Sequence, residues 1–314
     1  MAESASKNIV GHQTAMDYKK RVCRAMNFIS RHLDRDLSLD EIAAAAAFSK
    51  YHFHRIFKAV VGETVAGFTR RLRLEMAANR LMSNPFEEIT SIALTCGFSS
   101  SQNFAKAFRQ HYGMTPTAYR ERKSGNKTRK IQNALSLQAH YDPETAFSQQ
   151  LANERRDIMQ AEVREMPEYH VAYLRKMGPY NQQTCELAFG ELMQWAGPRG
   201  LLQPGATLMV YWDNPEVTPP EKCRIDACVS VPKGTAADGA FGTQILHGGP
   251  YAVCTFEIPS DGFHKAWEDA FAWLVESGLE CDDQPCYELY HNDAKDHPDG
   301  LWSVDICIPL KSKA

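Results

Sequence analysis

Two groups of side chains in this 314-residue sequence have types and spacings that could do chemistry. The first is Ser101, Gln102, Asn103, Lys106 and Arg109, which fall away from the side of a helix that Phe104 and Phe108, one turn apart, must bury. Hydroxyl, amide and cationic groups in such a row read base edges and hold phosphates. The second is Glu288, inside the alternating segment Tyr287, Glu288, Leu289, Tyr290. Tyr287 and Leu289 point the other way along a strand, so an inward carboxylate has to answer a cation or strong hydrogen-bond donors. Tyr211, Trp212, Trp267, Tyr287, Glu288, Tyr290 and Trp302 are the candidate lining of a ligand site. Aromatic walls attract a cation by ~0.5–2 kcal/mol per good contact, and a carboxylate adds selectivity for its sign. All five tryptophans and eight of the twelve tyrosines lie beyond residue 130, although any single aromatic on an alternating strand reads equally well as core.

The elements that must hold the first group are signalled residue by residue. Gly97 and Phe98 form a turn, Ser99 with Gln102 reads as a capping box, Gly113 ends the helix, and Pro116 opens the next. An earlier copy exists: Phe48, Ser49, Phe53, Phe57, Gly62, Thr64 and Phe68 correspond to Phe98, Ser99, Phe104, Phe108, Gly113, Thr115 and Tyr119. Each copy has a preceding helix. Leu39 to Ala47 starts with Ser38 and Glu41 as a capping box and Leu37 with Ile42 as a staple; Ile89 to Cys96 is its counterpart. A long helix, Val65 to Met82, joins the two. In the first copy, Ser49 to Val61, the apolar face is expected from Phe53, Ile56, Phe57 and Val60.

These tandem units resemble the DNA-binding domain of AraC/XylS-type bacterial transcription regulators over residues 17–123. Gly97, Phe98, Phe104, Phe108, Arg109, Gly113, Pro116, Tyr119 and Arg120 carry that resemblance. It implies that Tyr51, His54 and Arg55 face the major groove with Lys50 and Lys58 at phosphates, and that Ser101, Gln102, Asn103, Lys106 and Arg109 take the matching places in the second copy. It also implies promoter DNA, a small-molecule effector and RNA polymerase as partners. Two helices in successive grooves would reach segments ~34 Å apart, so a rigid joining helix implies DNA bending. His54 and Ser101 depart from frequent choices at base-reading positions.

Charge agrees. Residues 1–130 hold 22 Lys and Arg against 11 Asp and Glu, a net of +11, while the remainder holds 13 against 27, a net of −14. A basic half is the electrostatic footprint of phosphate binding. No apolar run approaches the ~20 residues of a membrane span, and the first residues lack the apolar core of a secretory signal, so a cytoplasmic chain is expected with no membrane partner. Nine cysteines are read as reduced thiols. Cys223/Cys228 and Cys281/Cys286 repeat as C-x4-C, which is read as buried thiols rather than zinc ligands; no metal or cofactor is expected.

Beyond a polar junction, Ser124 to Lys130, the pattern changes. Alternating segments at Glu162–Leu174, Ala206–Trp212, Cys223–Val231, Ala252–Ile258, Cys286–Tyr290 and Leu301–Leu310 read as strands, with helices at Gln182–Trp195 and Gly262–Ser277. Tyr211, Pro219, Asp226 and Cys228 recur as Tyr290, Pro298, Asp305 and Cys307, all at a spacing of 79 (290 − 211). This half resembles GyrI-like effector-binding domains through Gly178-Pro179-Tyr180, the helix ending in Trp195, the helix carrying Trp267, and the runs 287–293 and 302–310. The resemblance implies a ligand cleft between two halves, with Glu288 at the place where some members meet lipophilic cations.

The expected architecture is therefore multi-domain: residues 1–16 poorly ordered, an all-α double helix-turn-helix domain over 17–123, a linker over 124–156, and an α+β domain over 157–314 built from two pseudo-twofold βαββ-like repeats. The expected function is sequence-specific DNA binding controlled by a small-molecule effector, not catalysis. Two alternatives remain at this level: a GyrI-like hydrolase using Glu288 as general base, and a gyrase- or other protein-binding module.

Overall fold

Short polar residues start the helices of the N-terminal part, as side-chain capping requires. The computed structural model describes residues 17–48, 50–84, 86–122, 159–203, 205–215, 217–282 and 284–311, without the side chains of 50–52 and 275. The predicted N-terminus 1–16 and linker 124–156 lie outside the described residues. The chain divides into two compact units, Met1–Tyr141 and Asp142–Ala314.

In the first unit, helix α1 (17–30) precedes α2 (Leu39–Ala45), α3 (Lys50–Val61), α4 (Val65–Ser83), α5 (Ile89–Thr95), α6 (Ser101–Tyr112) and α7 (116–122). Ser38 and Glu41 form the expected capping box. The second copy differs in detail: Ser100, not Ser99, caps α6, its hydroxyl accepting from the Asn103 amide, while the Asn103 side chain donates to Ser99 Oγ at 2.9 Å. Asn103 thus takes the place expected of Gln102. The core is a train of rings, Phe53–Phe57–Phe68 in the first copy and Phe104–Phe108–Tyr119 in the second, each successive pair 5.3–5.6 Å apart. Burial on α3 falls on Phe53, Phe57 and Val61; Val60, expected there, is 40% exposed because it stands a residue round the wheel from Val61.

In the second unit, β1 (Met159–Met166), β2 (Tyr169–Met177), α8 (Gln182–Ala196), β3 (Thr207–Tyr211) and β4 (Arg224–Ser230) are followed by β5 (Gly242–Leu246), β6 (Gly249–Ile258), α9 (Phe263–Glu276), β7 (Cys286–Tyr290) and β8 (Trp302–Pro309). The strands form one antiparallel sheet in the order β1-β6-β8-β7-β3-β4-β2-β5. The repeat is real in register: Leu208 pairs with Cys228 and Tyr211 with Ile225, as Tyr287 pairs with Cys307 and Tyr290 with Val304. Each βαββ half also has a leading strand, but the two are exchanged: β1 pairs with β6 of the second half, and β5 with β2 of the first.

Two-residue connections then dictate the shape of this sheet. Only Pro167 and Glu168 join β1 to β2, so the strand ends are at most ~11 Å apart, whereas six inter-strand spacings in a flat sheet would part the two strands by roughly 29 Å. The sheet must curl until its ends meet. Gly248, in the equivalent β5–β6 connection, shows the meeting: a Cβ there would stand 2.6 Å from the Met166 carbonyl oxygen, so only glycine fits. Curling buries both faces. The outer face carries α8 and α9 over Ala172, Leu174, Met209, Ile225, Ala252, Phe256, Val304 and Ile306. On the opposite face Tyr173, Leu208, Val210, Cys228, Val253, Tyr287 and Cys307 are buried as well.

Candidate functional site

The N-terminal unit presents one recognition-type helix per copy. On α3, His54, Arg55 and Lys58 are exposed opposite the buried phenylalanines; Lys50 and Tyr51 belong to α3, and their side chains lie outside the described set. On α6, Gln102, Asn103, Lys106 and Arg109 are exposed and Ser101 is half-buried in the first turn. Each helix therefore offers amide or imidazole groups and cations from one side, the donor set that grooves and phosphates accept.

In the C-terminal unit, β7 brings Glu288 to the outer face, directly across from Met209 of β3 and Ile306 of β8. Its carboxylate is 1% exposed. Three donors hold it: Tyr211 Oη at 2.9 Å and Tyr290 Oη at 2.5 Å to Oε2, and Trp267 Nε1 at 2.6 Å to Oε1. Burial pushes the carboxyl above its ordinary range, against the pull of these donors toward the charged form. Burial and the adjacent carboxylate push both phenols well above theirs.

The pseudo-twofold explains the geometry. Tyr211 and Tyr290 are equivalent, and both converge on Glu288, whose own equivalent in the first half is Met209 (288 − 79). Trp267 of α9 packs edge-on against Tyr211 at 5.4 Å, and Phe189 of α8 packs edge-on against Tyr290 at 5.1 Å. Trp302 and Phe263 add rings against Tyr290, and Tyr180 against Tyr211. Above a buried carboxylate thus stand partly exposed rings from both helices and both halves, with a single charge on one side of a near-symmetric floor.

Five of the seven expected lining residues meet here: Tyr211, Trp267, Glu288, Tyr290 and Trp302. Trp212 and Tyr287 do not. Each is one residue out of phase with the outer face, so strand alternation sends them to the other side. Tyr287 packs with Tyr251 and Tyr169, and Trp212 donates from Nε1 to Asp226 at 2.8 Å. Phe189, Phe263 and Cys185 were not singled out from the sequence, and Tyr180 entered only through the Gly178-Pro179-Tyr180 motif. Phe189 had a signal, because Ala188, Leu192 and Ala196 of α8 are buried at the spacing of Ala266, Ala270 and Leu274 of α9, which sets Phe189 against Trp267. Burial, with Glu288 nearby, pushes the Cys185 thiol up to about 12, so it is no nucleophile.

On the opposite face two equivalent aspartates are held differently. Asp226 is enclosed by Arg175 at 2.6 Å, Gln244 and Trp212. Asp305 receives Thr255, Arg164 at 3.2 Å and the half-exposed His291 at 3.1 Å. Among the described residues no group of three or more His, Cys, Asp or Glu side chains is placed to hold a metal ion, and no helix is long and apolar enough to cross a membrane.

Residues 159–311 match the GyrI-like small-molecule-binding domain, and residues 42–122 match a helix-turn-helix domain. The DNA gyrase inhibitor 1 of Dickeya dadantii is 34% identical over 158 residues, which are 49% of this chain and all of that protein. The DNA gyrase inhibitor of Escherichia coli is 32% identical over 160 residues, 49% of this chain and 99% of its own. The chain belongs to the GyrI-like family and carries an AraC-type helix-turn-helix domain ahead of it. Among solved structures, an AraC-type transcriptional regulator from Chromobacterium violaceum aligns at 29% identity over 33% of this chain and 91% of its own, with a TM-score of 0.32. In this GyrI-like protein the helix-turn-helix match covers α3 and α6, and the GyrI-like match covers every residue around Glu288.

Proposed function

We propose that the protein is a cytoplasmic, ligand-responsive transcription regulator that binds promoter DNA through α3 and α6 and takes a lipophilic cation at Glu288. The observation that carries the ligand reading is a buried carboxylate under rings drawn from both halves of the domain. Burying a charge costs several kcal/mol, and such a cost is offset when a cation arrives. In this reading Tyr51, His54, Arg55, Ser101, Gln102 and Asn103 face bases, and Lys50, Lys58, Lys106 and Arg109 face phosphates. RNA polymerase is the partner through which bound DNA would be read out.

Catalysis fits less well. Tyr211, Tyr290 and Trp267 already hold both Glu288 oxygens, and burial pushes the neighbouring Cys185 thiol away from its thiolate form. The domain is therefore read as a binding module. A gyrase contact is carried only by the relatives' names, and no residue of this chain points to it.

A thermal-shift titration of the full chain with tetraphenylphosphonium, set beside triphenylphosphine oxide as a neutral probe, tests the ligand reading. At one hundred times Kd the cation should add about 2.7 kcal/mol of stability. Equal stabilisation by both compounds would remove the role of charge, and turnover of an aryl ester that Glu288→Gln abolishes would restore the hydrolase reading. Gel shifts on the region upstream of its own gene test the DNA reading, with affinity expected to fall steeply as salt rises.

A further inference from the structure

The exits of both recognition-type helices converge on one buried ionic cluster. Glu63 lies in the turn that follows α3, and Arg71 and Glu75 lie on α4. Arg71 Nη2 meets Glu63 Oε1 at 2.8 Å and Arg71 Nη1 meets Glu75 Oε1 at 3.0 Å, with side chains only 7%, 17% and 5% exposed. The guanidinium also spans both Glu63 oxygens through Nε. At the other exit, α6 ends in His111 and Tyr112. This helix packs on α4 as well; burial first and the Arg71 charge second lower the His111 pKa, and burial first and the Glu75 charge second raise that of Tyr112. The Tyr112 hydroxyl is buried with no hydrogen-bond partner among the described residues.

A buried Arg between two carboxylates is poor evidence of stability, because hydrophobic replacements of such triads are often neutral or stabilising. Better attested is a role in fixing one arrangement against its neighbours. The arrangement at stake here is that of α3 and α6, since each packs on α4, the helix that joins the two copies.

We propose that the Glu63–Arg71–Glu75 cluster sets the distance and angle between α3 and α6, making Arg71 and Glu63 positioning residues that determine which spacing of two DNA segments the protein accepts. The inference rests on the reading that both helices enter DNA grooves. One added base pair moves the second segment by about 3.4 Å and turns it by about 35°, which a rigid pair of helices cannot follow. Salt-bridge geometry of this kind holds α3 to α4 at its exit; without it the turn at 62–64 can flex and accommodate the shift.

The test uses the full chain and a duplex that it selects from a randomised pool, together with the same duplex lengthened by one base pair between its two protected segments. The wild type should bind the longer duplex at least about tenfold more weakly, since losing one module's contacts costs that much or more. Arg71→Met should narrow that ratio to about threefold or less, with Arg71→Lys in between, and with affinity for mixed-sequence DNA at low salt unchanged. Arg71→Met removes the cation between two carboxylates, so Arg71→Met/Glu75→Gln and Glu63→Gln are measured beside it. The spacing ratio is the deciding readout, because a merely structural role would lower stability or overall affinity without changing it. A wild-type ratio kept by the folded variants overturns the proposal. A wild type that selects no duplex instead refutes the DNA-binding reading on which it stands.

Discussion

Replacing Glu288 by Gln removes one negative charge while keeping shape, so it isolates the electrostatic part of ligand recognition. Take a cation over the Trp267 and Tyr211 rings, whose centroids are 5.4 Å apart, at an assumed separation of about 5 Å from the carboxylate that both side chains hydrogen-bond. With an effective dielectric constant of about 20, a unit charge pair at that distance is worth about 3 kcal/mol, or roughly two orders of magnitude in Kd. Folding should survive. Gln still accepts from Trp267 through its oxygen, and the Tyr211 and Tyr290 hydroxyls can turn to accept from its amide, so stability should change by no more than ~2 kcal/mol. Calorimetry with tetraphenylphosphonium and with triphenylphosphine oxide should show a loss of about a hundredfold for the cation and less than about threefold for the neutral compound. pH supplies an independent check. Because burial raises the Glu288 pKa, the wild type's affinity for the cation should climb as pH rises through that raised value, while Glu288→Gln stays flat. The same raised pKa means that ionisation in the folded state opposes folding, so the carboxyl's contribution to stability is greatest below its ordinary pKa and falls as pH rises. Equal losses for the two compounds would refute the charge argument and leave a shape defect; no loss for either would place the ligand elsewhere.

Arg55→Ala should cost ~1–3 kcal/mol of affinity and relax discrimination at one base pair, whereas Lys58→Ala should weaken all duplexes alike and reduce the salt slope by about one; selection profiles in which both behave uniformly would remove Arg55 from base readout. Gly97→Ala should destabilise the N-terminal unit by more than ~3 kcal/mol in urea unfolding, because φ is +76° and a Cβ would sit 2.0 Å from the Leu33 carbonyl oxygen and 2.7 Å from Arg73 Nε; a loss below ~1 kcal/mol would mean that the Gly97 turn is not fixed against the turn after α1 and against α4. The hydrogen bond to Asp305 raises the His291 pKa, so the stability it contributes is complete below its ordinary pKa of about 6.5 and is lost as pH rises through the higher folded value. His291→Ala should flatten unfolding midpoints over that window, and an unchanged profile would show that Arg164 alone compensates Asp305.

Local rules carried the N-terminal unit almost entirely. Caps, paired phenylalanines and glycine stops are decided within a helical turn or two, which is why α3, α4 and α6 were legible to within a residue or two at their ends, and why the slips, Ser99 for Ser100 as cap and Val60 for Val61 in the core, are of a single position. The second unit depends on pairing between distant segments, and the sequence signalled this only through the spacing of 79. Strand β5 escaped notice because its pattern is inverted: it buries Gly242, Gln244 and Leu246 and exposes Thr243 and Ile245. Gln244 is buried to donate to Asp226, a contact made across the sheet rather than along the chain. The exchange of β1 and β5 was equally invisible, since a two-residue connection ordinarily marks a hairpin between neighbours. Here it marks closure of a curled sheet, and closure decides the fate of the aromatics. It turns the face opposite the helices into a second core, so Tyr287 and Trp212 belong to the fold, while Tyr211, Trp267 and Tyr290 belong to the carboxylate. Alternation along β7 could have separated Tyr287 from Glu288 in the sequence; what it could not give was the second half's partner, Tyr211, arriving on the same oxygen from across the pseudo-twofold. The carboxylate at the centre of the site is local information, and the paired tyrosines that hold it are supplied by the repeat.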